Sequence, residues 1–188
     1  MQPTVLEEFD SASLEDWDSK YVSLSGLTHS SGYLFNESKN NKGTLYLNFN
    51  GEDIMFYCLD FNGAKDLQPL FDEFLDKIEN LPFTFTGHIG NTYKEERELV
   101  PTSIDEFSCP DYDAAMAFIN AYMKPTISQS DEGDGKSCLE WYPDAKAALE
   151  ALTETQRNFF LTSDARLPTT PRGTTTGPRP MAKAPPRA

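Results

Sequence analysis

The chain carries few of the residue types that do chemistry. It has two histidines, His29 and His88, and three cysteines, Cys58, Cys109 and Cys138. An odd cysteine count at irregular spacing is not a disulfide framework, and structural zinc needs Cys and His clustered at short spacing. A Cys–His–acid set can be drawn from Cys109, His88 and Asp111, but no local pattern joins them. An inert thiol and a surface or satisfied histidine are therefore expected. No Gly-Xaa-Ser-Xaa-Gly or His-Glu-Xaa-Xaa-His element occurs, and in so acidic a chain any carboxylate pair would be unspecific. A cysteine hydrolase would require Cys109 or Cys138 to be exposed and reactive. The expectation is a protein that is not an enzyme, with no cofactor and no metal.

Long apolar runs are also missing. None approaches the ~20 residues of a membrane span, and no basic start followed by an apolar stretch marks a secretion signal. The expected setting is a reducing cytosol, bacterial or of a host cell, with virion association as a variant and no membrane partner. The sequon Asn36-Glu37-Ser38 means little without a secretion signal.

Cations are scarce in most of the chain. There are 16 Lys and Arg against 30 Asp and Glu, a net charge of −14. After Asp164 come Arg166, Arg172, Arg179, Lys183 and Arg187 and no acid, which leaves −19 on residues 1–164. Such a body repels nucleic acid and offers no basic face to bind it directly. Its charge serves solubility, or attracts basic partners such as the clefts of nucleic-acid enzymes.

One stretch invites a nucleotide reading. Residues 128–144, "SQSDEGDGKSCLEWYPD", contain Gly135-Lys136-Ser137, the end of a phosphate-binding loop. The loop's first glycine is replaced by Ser130, and Asp131, Glu132 and Asp134 would face the anion. The preceding "PTISQ" is a poor buried strand, and Pro143 opposes a continuous helix after the loop. An EF-hand reading fails too, since its twelfth position is Trp141. An exposed acidic loop is the better expectation.

Aromatic residues, in contrast, are abundant: 13 Phe, 8 Tyr and 2 Trp. A disordered chain would lack them, so a packed core is expected. Near the N-terminus Leu14, Trp17 and Tyr21 fall at helical spacing, and Ser13 with Asp16 resembles a capping box. That segment reads as a first helix or an acidic–aromatic docking element. "YVSLSGL" and "GYLFN" are two weak strand candidates. Leu45, Leu47 and Phe49 then alternate with polar neighbours, and Asn50-Gly51 is a hairpin turn. The return strand, Ile54 to Phe61, is apolar on both faces and so central in a sheet. Asn62-Gly63 reads as a second turn. From an N-cap at Asp66, the residues Leu67, Leu70, Phe71, Phe74, Ile78 and Leu81 form one helical stripe, ended by Pro82. "FTFTGHIG" is a further alternating strand.

The fold class expected is α+β: an antiparallel sheet (hairpin 44–61 plus strand 82–90) with a helix, 66–81, packed on one face. Further helices are expected at 111–123, with Tyr112, Met116, Ile119 and Met123 on its apolar face, and at 143–161. A disordered or extended tail rich in Pro, Thr and Arg ends the chain. The division is an acidic α+β domain, 1–124, a loop plus helical extension, 125–166, and the tail, 167–188.

Two function classes follow. The first is a non-enzymatic acidic binding module, an inhibitor of anti-defence or immunity type, that imitates nucleic-acid charge and docks on a basic surface of a nucleic-acid-handling protein. Its contacts would be Asp72, Glu73, Asp76 and Glu79 on the 66–81 helix, with Glu15, Asp16 and Trp17 near the N-terminus. The second is an assembly component of a virus particle or large complex. Its tail, through Arg172, Arg179 and Arg187, would act as an arm on a neighbouring subunit in a homo- or hetero-oligomer.

Overall fold

The computed structural model describes residues 2–7, 20–36, 43–58, 61–90, 98–123 and 138–162. Leu14, Trp17, Ser13 and Asp16, the Gly135-Lys136-Ser137 loop and the tail lie outside these residues. Tyr21 does not belong to a helix: it opens strand β2 (Tyr21–Gly32), preceded by the short strand β1 (Thr4–Leu6).

β2 is the organising strand. The first weak candidate runs on to Gly32 as one element of 12 residues, bent at register shifts between Ser25 and Leu27 and between His29 and Ser31, whereas of the second candidate, "GYLFN", only Gly32 is strand. Gly26 sits at the first bend with φ +89°, a conformation that a side chain opposes. From Tyr21 to Leu27, across this bend, β2 pairs antiparallel with β5 (Phe83–Ile89), and β1 lies parallel along its other edge. After the bend, β2 pairs with β3 (Leu45–Phe49). A strand that must serve two neighbours in a curved sheet needs such bulges.

The β3–β4 hairpin follows the sequence pattern. Leu45, Leu47 and Phe49 point inward, and Asn50 and Gly51 take φ of 53° and 93° at the turn into β4 (Glu52–Phe56). Asn48 Oδ1 accepts from the Gly51 amide at 3.1 Å, and Asn50 Nδ2 donates to the Glu7 carbonyl at 2.8 Å, tying the end of β1 to the turn. β4 is shorter than expected, since Phe61 already begins a helix.

The antiparallel sheet expected from the sequence closes into a five-stranded barrel. β6 (Leu99–Val100) pairs parallel with β4 at Phe56 and antiparallel with β5, and β5 returns to β2. The barrel order is β2-β3-β4-β6-β5, closing on β2. Beyond a one-turn 3₁₀ segment, Ile104–Glu106, β7 (Phe107–Ser108) runs along the same edge of β5 as β6. With a helix inserted between its third and fourth strands, this connectivity is that of the OB-type Greek-key barrel.

That helix, α1 (Phe61–Ile78), starts five residues before Asp66. Asp66 is therefore not its cap, and Asn62-Gly63 is helical rather than a turn. Pro69 lies inside it on the exposed side, where it cannot donate to the Lys65 carbonyl. Leu67, Phe71 and Ile78 are buried as the stripe predicts, but Leu70 is 47% exposed. α1 lowers Phe71 into the barrel's aromatic core: its ring lies 4.9 Å from Phe107 and 6.3 Å from Phe83, and Phe56 packs edge-on to Phe85 at 5.0 Å. Each such ring contributes on the order of 2–3 kcal/mol by burial.

Three helices follow: α2 (Pro110–Tyr122), α3 (Cys138–Ala151) and α4 (Glu154–Thr162). The single helix expected over 143–161 is therefore two. Pro143 does not prevent helix before it, because it lies in the second turn, where it removes only the bond to Leu139. The break comes at Thr153, whose Oγ1 accepts from the Gln156 amide at 3.2 Å while Gln156 Oε1 accepts from the Thr153 amide at 2.9 Å. This reciprocal capping box starts α4. α4 packs on α2 through Tyr112–Phe159 and Phe118–Phe160 ring contacts, and Gln156 Nε2 donates to Asp111 at 2.8 Å. Ala115 and Phe159 join the same buried cluster as the barrel core. No helix among the described residues is long and apolar enough to cross a membrane.

Candidate protein-docking surface

The expected contacts separate when placed on the fold. Asp72, Glu73, Asp76 and Glu79 are all exposed, the first three on α1 and Glu79 just after it. Glu15, Asp16 and Trp17 lie outside the described residues, as do Arg172, Arg179 and Arg187.

The four acids differ in what else they do. Asp72 has a local partner: Gln68 Nε2 donates to its Oδ1 at 2.6 Å. The buried Gln68 in turn accepts, on Oε1, the amides of Leu34 at 2.6 Å and Phe35 at 3.2 Å. Asp72 thus orients the amide that fixes the end of β2 to α1, and Gln68 is a residue the sequence pattern did not single out. Glu73 forms an exposed ion pair with Lys77 at 2.8 Å. Their hydrogen bond, helped by the charges, holds the Glu73 carboxyl below the usual carboxylate range and the Lys77 ammonium above its own.

Asp76 and Glu79 are different. They lie at the C-terminal end of α1, where the helix dipole is also negative. With His29 and Asn80 they rim a groove of about 690 Å³ whose floor includes Leu75, Ile78, Leu81 and Phe83. Glu79 has φ 54°, in the left-handed region, where glycine or asparagine is usual at a helix end. Sequence reading ran the helix to Leu81 and so missed both the end and the strain. Asn80 before Leu81-Pro82 was the available stop signal.

The cysteine–histidine set is not assembled. Cys109 is buried and its Sγ donates to the Pro82 carbonyl at 3.3 Å, at the start of β5. His88 sits near the other end of that strand, its ring tilted at 44° to that of Tyr21 with centroids 5.1 Å apart. Six residue steps along the strand separate Pro82 from His88, about 20 Å. Burial, the largest influence, pushes the Cys109 thiol up, away from a reactive thiolate. Cys58 is buried as well. Among the described residues no group of three or more His, Cys, Asp or Glu side chains is placed to hold a metal ion.

The barrel wall is poor in positive charge. Among the described residues the cations are Lys20, Lys65, Lys77, Lys146 and Arg157, none of them on a strand. Comparison with protein families, with curated proteins and with solved structures finds no match.

Proposed function

We propose that the chain is an acidic, non-enzymatic protein-binding module that docks on a basic surface of a partner, in the manner of an inhibitor of a nucleic-acid-handling protein. The observation that carries this reading is the pair Asp76 and Glu79. Both are exposed, both stand at the negative end of a rigid helix, and both rim a groove with an apolar floor. A partner's guanidinium or ammonium would meet the two carboxylates, and its aliphatic stem would lie on Leu75 and Leu81. The strained backbone of Glu79 supports the same reading, because a residue kept where glycine fits better is a candidate for function. The remaining acids of the body would steer a basic partner from a distance.

The barrel topology does not redirect this reading. Barrels of this connectivity can hold oligonucleotides or oligosaccharides on one wall, but function belongs to the site and not to the fold. Here the outer positions of β3 and β4 include Tyr46, Asn48 and Asp53, and phosphate would find no cation on them.

The test is affinity capture from native cells with the natural chain and with Asp76→Lys/Glu79→Lys side by side, followed by titration of the recovered partner at several salt concentrations. The expected outcome is a basic partner bound ten-fold or more weakly by the double variant, with a shallower salt dependence. Equal affinity of both proteins would overturn the assignment of this groove. Asp72 is left intact so that the Gln68 hydrogen bonds are preserved.

A further inference from the structure

A second groove lies on the other flank of α1. It is formed by Tyr33, Phe35 and Asn36 on one side and by the α1 stripe Lys65, Pro69 and Asp72 on the other, with Gln68 between them, and encloses about 460 Å³. Its walls are firm. The hydrogen bonds from Leu34 and Phe35 to Gln68 fix one side to the other, and the Tyr33 amide donates to the Thr44 carbonyl at 3.2 Å. The Tyr33 side of the groove faces water: Tyr33 is 54% exposed, a large aromatic residue beside an exposed proline. An open trough between aromatic rings and a proline ring matches an extended Pro-rich peptide, whose ridges lie between flat rings without paying for much chain ordering.

We infer that the occupant is this chain's own C-terminal segment, with Pro168 and Pro171 seated against Tyr33, Phe35 and Pro69 and with Arg172 at Asp72. The segment supplies the motif: Leu167-Pro168-Thr169-Thr170-Pro171-Arg172. In the three-residue turn of a polyproline helix, Pro168 and Pro171 share one edge about 9 Å apart. Lys65 and Asp72, two helical turns apart, are separated by about 10 Å along α1, so the peptide and the groove agree in length. Charge sets the direction. Arg172 belongs at the Asp72 end, away from Lys65, and Asp72 keeps Oδ2 for it while Oδ1 accepts from Gln68. Across the whole molecule the same sign rule holds, with four cations and no acid in residues 167–188 against −19 in residues 1–164. The inference stands apart from the proposed docking of Asp76 and Glu79, which lie on the other groove.

The test uses the full chain with Cys138→Ser and Thr175→Cys, a nitroxide on the new thiol, and isotope-labelled backbone amides read by NMR. Cys58 and Cys109 are buried and remain unlabelled. The expected result is selective broadening, two-fold or more in intensity, at Phe35, Asn36, Lys65 and Gln68. Either Tyr33→Ala or Arg172→Glu should relieve it, and the second change alters no residue of the barrel. In a mixture of isotope-labelled chains without the nitroxide and unlabelled chains with it, no broadening is expected at these residues; broadening there would mean a neighbouring copy's tail and would overturn the inference. Two further results would overturn the inference. One is no broadening above the molecular average. The other is broadening spread over the acidic surface, Asp76 and Glu79 included, that Tyr33→Ala leaves unchanged.

Discussion

The barrel and the α2–α4 helices solve the same problem at different depths. The barrel encloses its rings completely: Phe56, Phe71 and Phe85 have no measurable exposure. The helices pair their rings along a seam, Tyr112 with Phe159, Phe118 with Phe160 and Tyr122 with Trp141, and leave Met123, Tyr142 and Leu161 38–58% exposed. The contrast follows from geometry. A closed sheet has an inside on every strand, whereas a small set of helices can bury only the stripe that faces its neighbours. The barrel should therefore be the stable unit and the helices the more readily opened one.

The sharpest way to break that comparison is to empty the barrel. Phe85→Ala should destabilise the fold by about 3–5 kcal/mol, read as the midpoint and slope of urea unfolding. Phe159→Ala, at the contact of α4 with the common core, should cost less, about 2–3 kcal/mol, because its site can collapse against α2. Amide exchange should then speed up in α4 while β2 and β5 stay protected. Equal loss of protection in both regions would mean that barrel and helices are one cooperative unit.

A smaller effect sharpens the helical side. Thr153→Ala removes one half of the α4 capping box and should cost about 1 kcal/mol in the same unfolding assay. On the barrel side, Glu79→Gly relieves the left-handed backbone and should stabilise by about 0.5–1 kcal/mol while weakening partner capture. A gain in stability without loss of binding would separate the strain at Glu79 from its proposed role.

The smallest effect concerns pH. Burial raises the folded-state pKa of Cys109 above its unfolded value, so the native state holds that proton longer. Its contribution to stability is full below about pH 8.5, the ordinary thiol value, and falls as pH rises from there towards the raised folded value. Urea midpoints measured at pH 7 and pH 10 should fall further for the natural chain than for Cys109→Ala. At neutral pH, Cys109 should label sluggishly with a thiol reagent unless denaturant is added.

What was legible beforehand depended on whether the signal was local. The hairpin could be read because alternation in 45–49 and the Asn50-Gly51 turn both act within a few residues. The burial of Leu67, Phe71 and Ile78 could be read because helical spacing is itself local. The α4 cap was legible in Thr153 and Gln156, which have the capping-box spacing, but the helix expected over 143–161 ran straight through them. The Asn62-Gly63 turn failed for a different reason. An Asn-Gly pair favours a hairpin only when an antiparallel strand follows, and here β4 pairs on its free edge with β6 while the chain enters α1. Of the acidic surface, exposure was legible from the stripe, but the separate tasks of Asp72, Glu73 and Glu79 were not. Each depends on a partner or a backbone angle that spacing does not encode.

By itself the sequence determined the mixture of strands and helices, the aromatic core, the acidic body and the basic Pro-rich end, because composition and short-range periodicity act on neighbours along the chain. Only the tertiary structure decided that the sheet closes. Closure rests on β6, two residues with no periodicity of their own, meeting a parallel partner more than forty residues earlier at Phe56 and Leu99. It rests also on a bend at Gly26 that lets one strand serve two neighbours. Such long-range pairings are selected by the burial of many rings at once, and no short stretch of sequence carries that information.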